Sequence, residues 1–189
     1  MSRPVAVALT GGIAAGKSEA LQAFARHGAA TISSDEVVHE LYRDDDELKA
    51  ALRERWGDAV FADGEVDRAA IGRIVFAERD ELAWLEAELH PRVRAATADW
   101  LARQTAEVAV AEIPLLFETG GESRFDKVVV VTAPEDVRTE RRGELADREA
   151  RLVPEEEKVR RADFAYVNDG TLEELDAFVA EVLEELTAP

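Results

Sequence analysis

Residues 5–24 read VAVALTGGIAAGKSEALQAF, and the fold turns on how this stretch is parsed. Val5–Thr10 is a short, nearly unbroken apolar run, the pattern of a strand buried on both faces. It meets the pair Gly11-Gly12, and Gly16-Lys17-Ser18 then opens a segment with helical spacing. Gly11 to Ser18 fits G-x-x-x-x-G-K-[ST]. A phosphate needs several N–H donors converging on one point, and only a loop with small side chains lets the backbone wrap that closely. The helix that follows adds its free N-terminal N–H groups and the positive end of its dipole. Lys17 can reach the outer phosphates and Ser18 can ligate Mg²⁺. The competing reading is a plain glycine turn capping a helix. Lys17 and Ser18 in register between a strand and a helix favour the phosphate loop.

Four further β-type runs follow, at Ala30–Ser34, Val108–Pro114, Lys127–Ala133 and Phe164–Asn168. Helical patterns separate them at Lys17–His27, Asp35–Leu41, Pro134–Glu144, Pro154–Ala162 and Leu172–Leu186. Strands alternating with helices predict an α/β fold with a parallel, doubly wound sheet. The region from Asp45 to Thr105 is too long for one crossover and carries no clear strand, so it reads as a helical insertion. Within it, Leu89-His90-Pro91 is expected to close one helix and start another, because proline suits a first helical turn.

The 189 residues are enough for one α/β domain with an insertion. There are no cysteines, so disulfides and thiolate chemistry are excluded. No apolar run approaches a membrane span and no signal peptide is evident, which points to a cytoplasmic protein. The formal net charge of −18 opposes a nucleic-acid partner. Lys17, Lys49, Lys127 and Lys158 are the lysines, and the other cations are arginines.

An open parallel sheet binds ligands at the carboxyl ends of its strands. Strand two ends in Ser33-Ser34-Asp35, so Asp35 falls on the rim of the phosphate loop. There it can accept a proton from an attacking hydroxyl, or merely cap the next helix. Glu112, closing the third run, can hold Mg²⁺ through water or position loop backbone. His90 can contact a ligand or cap a helix. Arg138, Arg141, Arg142, Arg148, Arg151, Arg160 and Arg161 form a basic run. Such cations either neutralise a transferring phosphoryl group or solvate a helix face beside Glu140, Glu144, Asp147 and Glu149.

Taken end to end, "ALTGGIAAGKS", "ISSDEVVHEL", "LHP", "EIPLLFE" and "ADFAYVNDG" resemble the dephospho-CoA kinase family. The last four motifs are far more specific than the phosphate loop alone. The resemblance implies a P-loop NTPase three-layer sandwich with a five-stranded parallel sheet. Its core would span 1–44 and 106–189, with a helical acceptor-binding insertion over about 45–105 and a short lid over about 138–153. It implies transfer of the ATP γ-phosphoryl group to the 3′-hydroxyl of dephospho-CoA, with Mg²⁺; a monomer acting on this small molecule is expected. Carried over by position, Asp35 matches the family's base, and Gly12, with Ala14, Ala15, Gly16, Lys17, Ser18 and Glu19, falls in its ATP-binding loop. Arg142 and Arg148 match lid arginines, and Asn168 with Gly170 sits where adenine would rest. His39, His90 and Arg94 fall on the acceptor side, and Ser18 with Glu112 would take the metal. The chain departs from the pattern at Ser33, Glu112 and Leu152, at Glu19, where threonine is usual, and in a shorter lid. Two alternatives are a kinase of another small hydroxyl acceptor and a nucleotide-binding module without turnover.

Overall fold

A computed structural model describes residues 3–142 and 152–188, with the backbone alone for 140–142. Arg148 and Arg151, the lid segment 143–151, and the side chains of Arg141 and Arg142 therefore lie outside the described residues. By its internal contacts the chain forms two units, one of Met1–Ser33 with Leu101–Pro189, the other of Ser34–Trp100.

The first unit is built on β1 (Val5–Gly11), β2 (Ala30–Ser33), β5 (Val108–Glu112), β6 (Lys127–Thr132) and β7 (Phe164–Val167). They form one parallel sheet in the order β2-β5-β1-β6-β7. This is the expected doubly wound arrangement, with the strand before the glycine turn at its centre. The period of two along β1 divides the core. Val7 and Leu9 join the cluster under α1 (Lys17–Arg26) and α8 (Leu172–Thr187), with Phe24, Leu175 and Val179. Ala8 joins the opposite cluster with Leu116, Phe117, Val128 and Val130. Two aspartates fasten the amino ends of the strands. Asp126 accepts from Ala6 N at 2.9 Å, and Asp163 from Val128 N at 2.8 Å. The Arg3 guanidinium, bonded to Asp126, holds that carboxyl below its usual range.

α6 (Glu135–Arg142) follows β6, and α7 (Glu155–Arg161) precedes β7. Lys158 on α7 is 1% exposed and pairs with Glu118 at 2.8 Å. The same Glu118 oxygen accepts from Val153 N at 3.0 Å. Deleting one partner of a buried pair strands the other charge. We expect Lys158→Met to cost about 3 kcal/mol in urea unfolding. Adding Glu118→Gln should recover most of that loss; a single variant as stable as the parent would contradict it.

The second unit comprises α2 (Ser34–Asp44), α3 (Asp46–Trp56), α4 (Arg68–Ala77) and most of α5 (Arg79–Arg103). α2 was expected to lie with the sheet core, up to residue 44. It sorts instead with the helical unit, because Tyr42 is buried with Leu48, Leu52, Val60, Ile71 and Leu85, and Val38 and Leu41 pack on the same cluster. Two local expectations are also corrected. The insertion does hold strands: β3 (Phe61–Ala62) and β4 (Glu65–Val66) pair as a hairpin. Its turn, Asp63-Gly64, has φ of 52° and 87°, the left-handed pair of a tight hairpin turn. Pro91 does not divide two helices but lies inside the continuous α5. Arg92 splints the turn there, donating to Glu88 O at 2.9 Å while pairing with Glu88 and Asp45. Elsewhere in the unit Glu81 accepts from Arg55 and from Trp56 Nε1, and both bonds lower its pKa.

Candidate active site

The loop between β1 and α1 is shaped by backbone crowding. Gly11 pairs with Val131 across the sheet and has φ 145°. A Cβ there would lie 1.8 Å from the Val131 carbonyl oxygen, so no other residue fits. Ala14 and Gly16 also take left-handed conformations, at φ 57° and 99°. Ala15 is fully buried and ties the loop to the core. Asn168, 5% exposed at the end of β7, donates its amide to Ala15 O at 2.9 Å. That bond gives Asn168 a loop-holding role that the sequence does not reveal. Losing a buried hydrogen bond of this kind costs about 1–2 kcal/mol. We expect Asn168→Ala to lose that much stability in urea titration and to weaken the binding of a phosphate-bearing ligand at the loop severalfold in calorimetry. Gly170 has a local reason as well. A Cβ on it would meet Glu174 Oε2 at 1.9 Å, the carboxylate that closes the capping box of α8 with Thr171.

Helix α1 starts at Lys17, and its N-cap residue, Gly16, supplies no side-chain cap. By contrast, Asp45, Asp67 and Thr171 cap α3, α4 and α8. A helix start whose N-cap residue brings no side chain is open to an anion at its first N–H groups. Lys17 Nζ folds back to donate to Gly12 O at 2.8 Å, while Ser18 and Glu19 are exposed. Glu112 closes β5, opposite Leu9 on one side and Ser33 on the other, so it stands on the rim where β1 enters the loop. Among the described residues, no cluster of three or more acidic or histidine side chains could hold a metal ion. Ser18 and Glu112 carry oxygen donors, the ligand type that Mg²⁺ takes, and a Mg²⁺ site built on one or two protein ligands needs no larger cluster.

In the helical unit Asp35 stands inside the first turn of α2, one residue past its start, and is exposed. His39 lies four residues on, hence on the same helix face. Arg68, at the start of α4, reaches His39 Nδ1 at 3.4 Å and is a neighbour that sequence reading missed. His90 and Arg94 are likewise four apart on one face of α5, an alignment that depends on the helix running through Pro91.

The sequence profile described as dephospho-CoA kinase matches residues 5–174. The chain belongs to the dephospho-CoA kinase family. A dephospho-CoA kinase of Mesorhizobium japonicum is 43% identical over 193 residues, covering 96% of each chain. A Thermus thermophilus protein of known crystal structure superposes with a TM-score of 0.80 at 34% identity, covering 99% of this chain and 100% of that one. The solved dephospho-CoA kinase of Campylobacter jejuni superposes with a TM-score of 0.72 at 25% identity over the full length of both.

Proposed function

We propose that this chain transfers the γ-phosphoryl group of ATP to the 3′-hydroxyl of dephospho-CoA, releasing coenzyme A and ADP. The observation that carries the reading is the phosphate loop, glycine-bound to β6 and leading into an uncapped helix, within a chain that matches this family over residues 5–174. Phosphoryl transfer asks a protein mainly for positioning and charge neutralisation. The loop amides and Lys17 grip the β- and γ-phosphates, and Asn168 keeps the loop in shape. Asp35 accepts the proton of the attacking hydroxyl and orients its oxygen. His39, Arg68, His90 and Arg94 offer a hydrogen-bonding and cationic surface for an anionic acceptor, which a pyrophosphate-bearing substrate requires. Arg142 and Arg148 neutralise the group in flight. Ser18 and Glu112 would hold Mg²⁺, whose charge, when bound, offsets that of the phosphate oxygens. The enzyme acts as a cytoplasmic monomer on this small molecule, and its charge of −18 repels nucleic acids.

ADP release should be measured through a coupled assay. Dephospho-CoA is offered beside shikimate, gluconate and nucleoside monophosphates. Turnover confined to dephospho-CoA is the expected result. Preference for another acceptor would reassign the substrate, and ATP binding without turnover on any of them would make the chain a binding module.

A further inference from the structure

The phosphate loop is flanked by an acidic side chain that the transfer reaction does not call for. Glu155 opens α7, and its Oε1 lies against Gly12. A Cβ on that glycine would sit 2.0 Å from Glu155 Oε1 and 3.5 Å from Arg138 Nη1. Arg138, from α6, pairs with the same carboxylate oxygen at 3.3 Å and is 15% exposed. Helix α7 is held firmly in that place. Glu155, Lys158 and Arg161 follow at intervals of three and share one face. Lys158 is locked to Glu118, and Arg161 pairs with Glu122 and lies over the Phe117 ring, 4.5 Å from its centroid. Thus a carboxylate is seated on Gly12, the residue whose carbonyl receives Lys17.

We infer that Glu155 is a resident anion of the phosphate loop, and that nucleotide binding exchanges it for phosphate. Arriving phosphates meet the Glu155 charge at short range, and Arg138 passes from the carboxylate to them. Glu155 is therefore an affinity-setting residue that weakens the grip on nucleotide and favours release of ADP. The inference rests on the reading of this loop as a nucleotide site.

Titration calorimetry with ADP in EDTA tests it on the wild type, Glu155→Gln, Arg138→Met and the double variant, each first checked for an unchanged melting temperature. Removing one like charge at this range should tighten ADP binding about fivefold to tenfold in Glu155→Gln. The gain should shrink as KCl is raised, because screening already weakens the repulsion; a merely structural effect would not follow salt. Arg138→Met should weaken binding more in the Glu155→Gln background than alone, since there the carboxylate no longer competes with phosphate for the arginine. In turnover, Glu155→Gln should lower the KM for ATP. Wild-type binding with no gain in Glu155→Gln, or a loss, overturns this inference and leaves the nucleotide site standing. No ADP binding by any of the four proteins overturns the nucleotide reading as well.

Discussion

Lys17→Ala should lose roughly 10³-fold or more in kcat/KM, the scale set by removing a preorganised charge from a phosphoryl-transfer site. The ammonium already lies at the loop, bonded to Gly12 O at 2.8 Å, so its position costs little reorganisation when nucleotide arrives. The fold should not notice. Lys17 is the first residue of α1 and belongs to neither apolar cluster around the sheet. Circular dichroism and urea unfolding should match the parent while the coupled assay falls to background. Lys17→Arg should not rescue activity, because a planar guanidinium cannot occupy the place of a compact ammonium inside a tight backbone loop. A Lys17→Ala enzyme within tenfold of the parent would remove the loop from the chemistry.

The second large effect is expected at Asp35. Asp35→Asn keeps size and polarity but cannot take a proton, so kcat should fall about 10²- to 10⁴-fold. The side chain is exposed in the first turn of α2, where a negative charge also favours the helix dipole. That contribution is only about 0.3–1 kcal/mol, so stability should barely change. Binding of ATP and of dephospho-CoA, followed separately by calorimetry, should stay within a few-fold of the parent. If kcat is untouched, the proton goes elsewhere and Asp35 is a helix residue only.

The shape of the β1–α1 loop was legible in residues 5–18, because a phosphate loop is a local device. Glycine spacing, a lysine and a helix start suffice to specify it, and Gly11 packed on Val131 shows why the spacing is strict. Strand positions were legible for a related reason: strands buried on both faces leave continuous apolar runs. The helical unit was harder. The Asp63-Gly64 turn signal was present, but its strands are two residues each, too short for alternation to register. Pro91 carries a strong breaker signal, yet α5 runs through it, and the neighbouring Arg92 makes contacts to Glu88 and to Asp45, the latter far away in sequence. The hydrogen bond of Asn168 to Ala15 and the ion pair of Glu155 with Arg138 join segments that no local pattern links. The lid arginines Arg142 and Arg148 stay expectations from resemblance.

The reach of Asn168 back to Ala15 has a consequence for how the protein is made. A ribosome emits the loop 153 residues before its anchor. β1 must also wait for β5 and β6, both encoded beyond residue 107, before either of its edges is covered. The apolar members of the helical cluster, by contrast, all lie between residues 38 and 89 and can gather while translation continues. A nascent chain thus owns the lysine long before it owns the strands and the asparagine that frame the loop.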